Sequence, residues 1–411
     1  MASDTQLTDD EITQRQMALA EAFRPAAPVS SRDLFAGRTE QMSELLSVMA
    51  QPGQHGVIFG ERGVGKTSLA TVVARGITPG RLATRVNCDS NDTFTTVWRK
   101  VMENIQFEVE QPAFGFSDEV KTTVVSAARY VPADDVAPDD VRRVLHALGL
   151  SSPVVVFIDE FDRLTAPGID ALFADTIKTL SDQEVPATIV LVGVADDVDE
   201  LIAEHGSIER ALVQVRMPRM SRLELAVIVN QGFDFAEMRM DADALDRITR
   251  LSQGLPHYTH MLAQQAGMAA LDDAVAQASL AHVDAAVFRS IEKAQQSLRS
   301  SYHTATFSTR TTLYREVLLA CALAKGDELG FFAASDVREP LTRIMGRRYE
   351  IPAFAQHLNE LSERRRGPVL QKKGSTRRFR YRFVNPLLQP HVIMRGLSEG
   401  LIDANLLVDA A

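Results

Sequence analysis

The residues of this chain with the most specific chemistry are Gly60-Glu61-Arg62-Gly63-Val64-Gly65-Lys66-Thr67-Ser68, which match the pattern G-x-x-x-x-G-K-[ST]. Glycines let the backbone curl until successive N–H groups face inward, where they can hold phosphate oxygens. A helix starting at Lys66 would direct its positive end at the same charge. The Lys66 ammonium is suited to the outer phosphates and the Thr67 hydroxyl to Mg²⁺. A chance match is the competing reading. Against it stand the apolar run Val57-Ile58-Phe59 before the loop and the helical pattern after it.

A second cluster follows the apolar run Val154–Ile158, which ends in Asp159-Glu160-Phe161-Asp162. Such a run describes a buried strand whose tip enters a site. Asp159 would hold the Mg²⁺ shell, and Glu160 would polarise an attacking water, with Asp162 as the alternative base. Taken alone, the same residues fit a strand followed by an acidic helix cap. Beside a phosphate loop they read as a nucleotide-hydrolysing pair. One complete strand–helix unit, about residues 82–105, separates the loop from this strand.

The elements that must position these groups alternate. Strands are expected at Val57–Phe59, Leu82–Asn87, Pro153–Ile158, Thr188–Val194 and Val213–Met217. Helices are expected at 38–49, from Lys66, at Thr93–Ile105, Val141–Leu148 and Ile169–Leu180, over most of 199–213, and at Leu223–Asn230. This rhythm predicts a parallel α/β sheet covered on both faces. Residues 106–138 break it and read as an insertion that includes a hairpin. A short helix and a Pro-rich linker precede the core. From about Ser221 to His303 only helical patterns are evident.

At 411 residues the chain should hold two to four domains. It contains 45% apolar and 24% charged residues, which excludes wholesale disorder. No apolar run approaches the ~18 residues of a membrane span. The acidic start MASDTQLTDDEITQ is unlike a signal peptide, so a cytoplasmic location without membrane contact is expected. Cys88 and Cys321 stand far apart, which excludes a disulfide framework and a Cys-rich zinc site. The net charge is −10, yet residues 306–400 hold 17 basic and 9 acidic residues. A basic module on an acidic body is expected.

The two motifs, together with Leu34-Phe35-Ala36-Gly37-Arg38-Thr39-Glu40, resemble the AAA+ superfamily. The closer resemblance is to its branch of origin-recognition-type initiators and related STAND signalling ATPases, over roughly residues 31–400. It implies a P-loop NTPase sheet with a helical lid, taking ATP and Mg²⁺, and self-association through the ATPase core. Phe35 and Arg38 would border the adenine. Asp196 stands where the family often has an Asn that senses the γ-phosphate, and a helix cap is its equal alternative. Arg210, with Arg216 and Arg219 as rivals, would be the arginine finger offered to a neighbouring subunit, although a solvated Arg is the commoner meaning. Gly254-Leu255-Pro256-His257 matches a lid turn that brings Pro256 or His257 to the nucleotide, or is a plain helix stop and start.

Residues 311–400 read as three helices, a hairpin and a last helix, and look like a winged helix. Phe354, Leu358 and Leu361 mark the core face of the third helix. Strands Val369–Lys372 and Arg378–Val384 follow. Period two would bury Phe379, Tyr381 and Phe383 and turn Arg378, Arg380 and Arg382 outward. Between 364 and 382 there are nine basic residues and no acidic one. Arg364, Lys372, Lys373, Arg377, Arg378, Arg380 and Arg382 are therefore the expected contacts to duplex DNA. The domains expected are an N-terminal extension (1–30), the ATPase core (31–220), the lid (221–307) and the winged helix (308–411). The function expected is ATP binding and hydrolysis coupled to DNA binding, loading or remodelling. The alternative is a STAND-like ATP switch whose winged helix mediates oligomerisation or binds a partner protein.

Overall fold

The computed structural model describes residues 7–25, 37–76, 80–112, 120–196, 198, 201–202, 208–308, 312–327, 329–375 and 378–407. Helix α1 (Asp9–Ala22) is followed by α2 (Thr39–Ala50), β1 (His55–Gly60), α3 (Lys66–Gly76), β2 (Leu82–Asn87) and α4 (Phe94–Asn104). A hairpin of β3 (Gln106–Pro112) and β4 (Val120–Ser126) comes next, then α5 (Pro138–Gly149), β5 (Val154–Asp159), α6 (Ile169–Asp182), β6 (Ala187–Val194) and β7 (Leu212–Arg216). Strands β1, β2, β5, β6 and β7 form one parallel sheet in the order β2-β5-β6-β1-β7. The strand that ends in Asp159 is thus separated from the phosphate-loop strand by β6.

Period two divides the central strands between two cores. Ile58, Val155, Phe157, Val190 and Val192 face α2 and α3, whereas Val57, Val156, Ile158, Ile189 and Leu191 face α4, α5 and α6. All of these side chains are buried, as a sheet covered on both faces requires. In the second core Phe173 meets Phe94, Phe161 and Trp98 with ring centroids 5.0–6.1 Å apart. Phe161 directly follows Glu160, so this aromatic cluster pins the chain where it leaves the acidic strand end.

The helical region runs α7 (Arg222–Phe235), β8 (Arg239–Met240), α8 (Ala242–Leu251), α9 (Pro256–Asp272), β9 (Gln277–Ala278), α10 (Leu280–Glu292) and α11 (Gln296–Thr306). A Ser221/Glu224 capping box starts α7, and Pro256 occupies the first turn of α9. Helix α1 packs on α7 and α9. Its C-cap, Phe23, lies against Phe233 and His260, and a Cβ on Gly232 would sit 2.2 Å from the Phe23 ring. Only glycine admits that approach.

The C-terminal part consists of α12 (Tyr314–Leu323), β10 (Phe332–Ala333), α13 (Ala334–Met345), α14 (Ile351–Leu361), β11 (Leu370–Lys373), β12 (Arg380–Phe383) and α15 (Leu388–Ser398). Phe354, Leu358 and Leu361 are buried, as the spacing predicts. Tyr381 and Phe383 are buried too, but Phe379 is only partly so. Two features escaped sequence reading. Strands β8 and β9 form a two-residue parallel pair inside the helical region, and β10 joins the hairpin as a third strand. Neither is long enough to show a period. The helix expected over 199–213 falls partly outside the described residues, and 208–211 form a turn instead. Among the described residues no helix is long and apolar enough to cross a membrane.

His391 on α15 has no exposed surface, lies edge-on to Tyr302, and has no hydrogen-bond partner on either ring nitrogen. Burial first, then the charges of Arg395 and Arg299, push its pKa down to about 4 from 6.5. His55 and His260 are lowered to about 4 by burial as well. A folded-state value below the unfolded one gives stability that is complete above the unfolded pKa and lost as pH falls towards the folded one. The unfolding temperature should therefore drop between pH 6.5 and pH 4.5. His391→Phe, which fills the same space without ionising, should recover on the order of 1–3 kcal/mol of that loss. An unchanged pH dependence of unfolding in His391→Phe contradicts this account.

Candidate functional site

Strand β1 delivers the chain to the loop in an unusual backbone state. Gly60 has φ 147°, and a Cβ there would lie 2.4 Å from the Met217 carbonyl oxygen. Gly63 and Gly65 also have positive φ. The curl brings Lys66 back across its own loop. Its Nζ donates to the carbonyls of Gly60 (2.9 Å) and Glu61 (2.7 Å). Lys66 is 8% exposed. Burial pushes its pKa down to about 8, against the pull of Asp162, Asp159 and Glu61.

The acidic strand end lies beside the loop. The Asp159 carboxylate accepts from the Glu160 backbone N–H (2.9 Å), pairs with Arg85 on β2 (2.8 Å), and is hydrogen-bonded to the Thr67 side chain. Burial raises its pKa, while these bonds oppose the rise. Glu160 takes φ 56° where β5 ends, and Arg163 donates to its carboxylate at 2.8 Å. Asp162 accepts from the Val194 N–H (2.8 Å), tying the end of β6 to the acidic segment.

These groups line one cavity of about 950 Å³, which also takes in Arg62, Val64, Ser68, Asp196, Pro256 and His257. At one end it is walled by Arg24, Pro25, Met220, Ile228 and His260. Arg38 is 2% exposed, with φ 59°, and donates to the carbonyls of Val64 (3.2 Å) and Pro218. It is fixed behind the loop as well as lining the cavity. The Pro25 carbonyl lies 2.8 Å from His257 Nδ1, and burial lowers the pKa of that ring. Phe35, expected beside the adenine, lies outside the described residues.

Arg210 is exposed on the turn before β7 and is not part of this cavity. Of its rivals, Arg219 is committed within the chain. It donates to Glu61 in the loop (2.7 Å), to the Gln253 carbonyl (3.2 Å) and to Gln389 on α15 (2.7 Å). Sequence reading missed that bridge because its members are far apart in the chain and form no motif.

The C-terminal hairpin also departs from expectation. Arg382 does not turn outward. It donates to Asp196 through Nη1 and to Gln371 through Nε (2.7 Å), and its side chain is only 18% exposed. Lys373 Nζ reaches the same Asp196 at 3.1 Å. Asp196 is therefore not a bare carboxylate. Burial tends to raise its pKa, but the bonds from Arg382 and Lys373 hold it below the usual carboxylate range. Arg382, Phe383, Val384 and Pro386 line the same cavity as Lys66. The alternation of residues 378–384 was legible in sequence, but not which part of the molecule covers the Arg382 side. The other basic candidates sit differently. Arg364 and Arg378 are exposed, Arg380 pairs with Asp327 (2.8 Å), and Lys372 bonds Asn359 (2.8 Å). Arg377 lies outside the described residues.

Residues 34–192 match the AAA ATPase domain family. No curated protein matches the chain. Among solved structures, a Walker-type ATPase of Pyrococcus abyssi aligns with TM-score 0.51 at 16% identity, over 89% of this chain and 98% of that one. The Aeropyrum pernix ORC1 protein, solved in complex with DNA, aligns with TM-score 0.47 at 16% identity, over 94% of this chain and 98% of that one. The Thermotoga maritima RuvB Holliday junction branch migration motor gives TM-score 0.45 at 15% identity, over 87% and 96%. At 16% identity the first of these likenesses speaks to fold alone. With the glycine-curled loop, the buried Lys66 and the Asp159–Glu160 strand end gathered on a parallel sheet, and with the family match across them, residues 34–192 form a P-loop ATPase domain of the AAA type.

Proposed function

We propose that this chain binds Mg·ATP in the 950 Å³ cavity, hydrolyses it, and couples the cycle to duplex DNA through its C-terminal module. The observation that carries the nucleotide half is the convergence of Lys66, Thr67, Asp159 and Glu160 on that one cavity. The loop amides and the first turn of α3 receive the inner phosphates, and Lys66 exchanges its two carbonyl bonds for outer phosphate oxygens. The Thr67 hydroxyl and the Asp159 carboxylate, already bonded to each other, suit Mg²⁺, because both offer hard oxygen. When bound, Mg²⁺ would draw negative charge from the phosphate oxygens. Glu160 orients the attacking water, after its carboxylate has left Arg163. Pro256, His257 and the Arg24–Pro25 segment border the base. Residues 31–220 act as the core, 221–307 as the lid and 308–411 as a winged helix, with 1–30 an extension whose helix α1 packs on the lid. Arg210, exposed before β7, serves a neighbouring subunit in a self-assembly through the core.

The DNA half rests on the exposed cations of the C-terminal module, Arg364 and Arg378 above all, with Arg380 and Lys372, and on Arg377 from the sequence alone. A STAND-like regulatory switch, with the module engaging a partner protein or a second copy, is the other reading. One observation favours it specifically, since Arg382 is held by Asp196 at the ATP site rather than offered outward, and the half-exposed Lys373 reaches the same carboxylate. Stimulation of ATP hydrolysis by duplex DNA would decide for the first reading.

Three variants test these roles. Lys66→Ala should weaken ATP binding by roughly 10–100-fold or more, the worth of one or two charge-assisted hydrogen bonds. Unchanged affinity by calorimetric titration contradicts the role given to the loop. Glu160→Gln should keep ATP and Mg²⁺ binding while slowing turnover about 10²–10⁴-fold, the usual contribution of a positioned base. Turnover at the parent rate would move the base to Asp162. For DNA, about five phosphate contacts imply a log–log salt slope near −4.5. Replacing Arg377, Arg378 and Arg380 with Ala should flatten it by up to about 3 units without sequence preference. An unaltered slope in the folded triple variant removes this face as the DNA contact.

A further inference from the structure

The C-terminal hairpin reaches the phosphate end of the ATP cavity. Asp196 lies just past β6, the strand between the loop strand β1 and the Asp159 strand β5. A lone carboxylate there would repel a triphosphate. Here it is paired with two cations, Arg382 and Lys373, whose charges offset its own. Arg382 is also placed with care. Its Nε is tied to Gln371, its guanidinium stands 4.6 Å over the Phe331 ring, and its neighbours Phe383, Val384 and Pro386 line the cavity. The hairpin is held to the site by other contacts too. The Tyr258 hydroxyl on α9 donates to the Leu387 carbonyl (2.6 Å), a Cβ on Gly63 would lie 3.1 Å from Leu387, and Arg219 joins Glu61 to Gln389.

We propose that Arg382 is a γ-phosphate ligand supplied from the C-terminal module of the same chain, with Asp196 as the anion that holds it when the γ-phosphate is absent. A guanidinium fork can serve either a carboxylate or a phosphate, and it is the phosphate, with more charge and more oxygens, that draws it away. Lys373 remains on Asp196 and keeps that carboxylate neutralised. The hairpin thereby distinguishes ATP from ADP, and the exchange moves β12 relative to the core. In the chain's own geometry this is an intramolecular counterpart to Arg210, which lies outside the cavity. The inference rests on the ATP-site reading above and does not depend on DNA.

The test is the ratio of affinities for a non-hydrolysable ATP analogue and for ADP, by calorimetric titration with Mg²⁺ present. Arg382→Ala should lose roughly 10–100-fold in affinity for the analogue and less than about threefold for ADP. Arg382→Lys should recover part of the loss, because it keeps the charge but not the fork. Asp196→Asn should shift the ratio the other way by releasing Arg382 from its competing anion. Equal losses for both nucleotides in Arg382→Ala would make the residue a structural clamp and overturn the proposal. If Arg382→Ala does not fold, an unchanged ratio in Asp196→Asn overturns it independently. A parent chain that binds neither nucleotide overturns the site reading itself, which is a separate result from a parent that binds both with a ratio insensitive to Arg382.

Discussion

Lys66 places an ammonium almost out of water, and two carbonyls of its own loop, those of Gly60 and Glu61, hold it there. Much of the site follows from that constraint. A buried cation needs compensation, and burial has already pulled its pKa down to about 8 despite three nearby carboxylates. The carbonyls can converge on it only because Gly60 adopts a conformation that brings it hard against the Met217 carbonyl. Met217 follows β7, so the parallel pairing of β1 with β7 helps to shape the loop. The carboxylates come from β5, which β6 places one strand further away and ties back through Asp162. Replacing a sheet strand would therefore disturb the loop as surely as replacing a glycine.

The same economy governs the cover of the site. The cavity is closed by elements remote in sequence, namely Arg24–Pro25 after α1, Pro256 and His257 on α9, and residues 382–386 after β12. Each is anchored by a polar contact into a neighbouring element. Pro25 is bonded by His257, Leu387 by Tyr258, and Glu61 by Arg219. The Arg219–Glu61 contact is a partly buried ion pair, of the kind that contributes modestly to net stability but leaves a desolvated charge behind when one side is broken, whereas the other two are hydrogen bonds to backbone carbonyls. These contacts suit a device that exchanges partners when a phosphate arrives better than they suit a permanent clamp.

What could be read from sequence divides along this line. The phosphate loop and the Asp159–Glu160 pair are local, since each is a short run whose residue types state its chemistry, and the alternating strands and helices gave the parallel sheet. The core face of α14 was legible for the same reason. Arg219, Gln389 and Tyr258 carried no signal, because a single Arg, Gln or Tyr gains meaning only from what the fold sets opposite it. Arg382 was visible as one of an alternating set, yet period two assigns it to a face and not to a neighbour. The two-residue strands β8, β9 and β10 fall below the length at which any period exists. Asp196 looked like a misplaced carboxylate until its two cations, nearly two hundred residues further on, were beside it.

The central claim is that one ATP cavity is built jointly by the core, the helical region and the C-terminal hairpin. Amide hydrogen exchange with and without Mg·ATP, on Glu160→Gln to prevent turnover, tests it most directly. The account predicts that ATP slows exchange in three separate stretches, the loop at 61–67, the turn into α9 at 253–258, and the hairpin exit at 380–387. Protection confined to the loop, with the other two stretches exchanging at the same rate in both conditions, would contradict it.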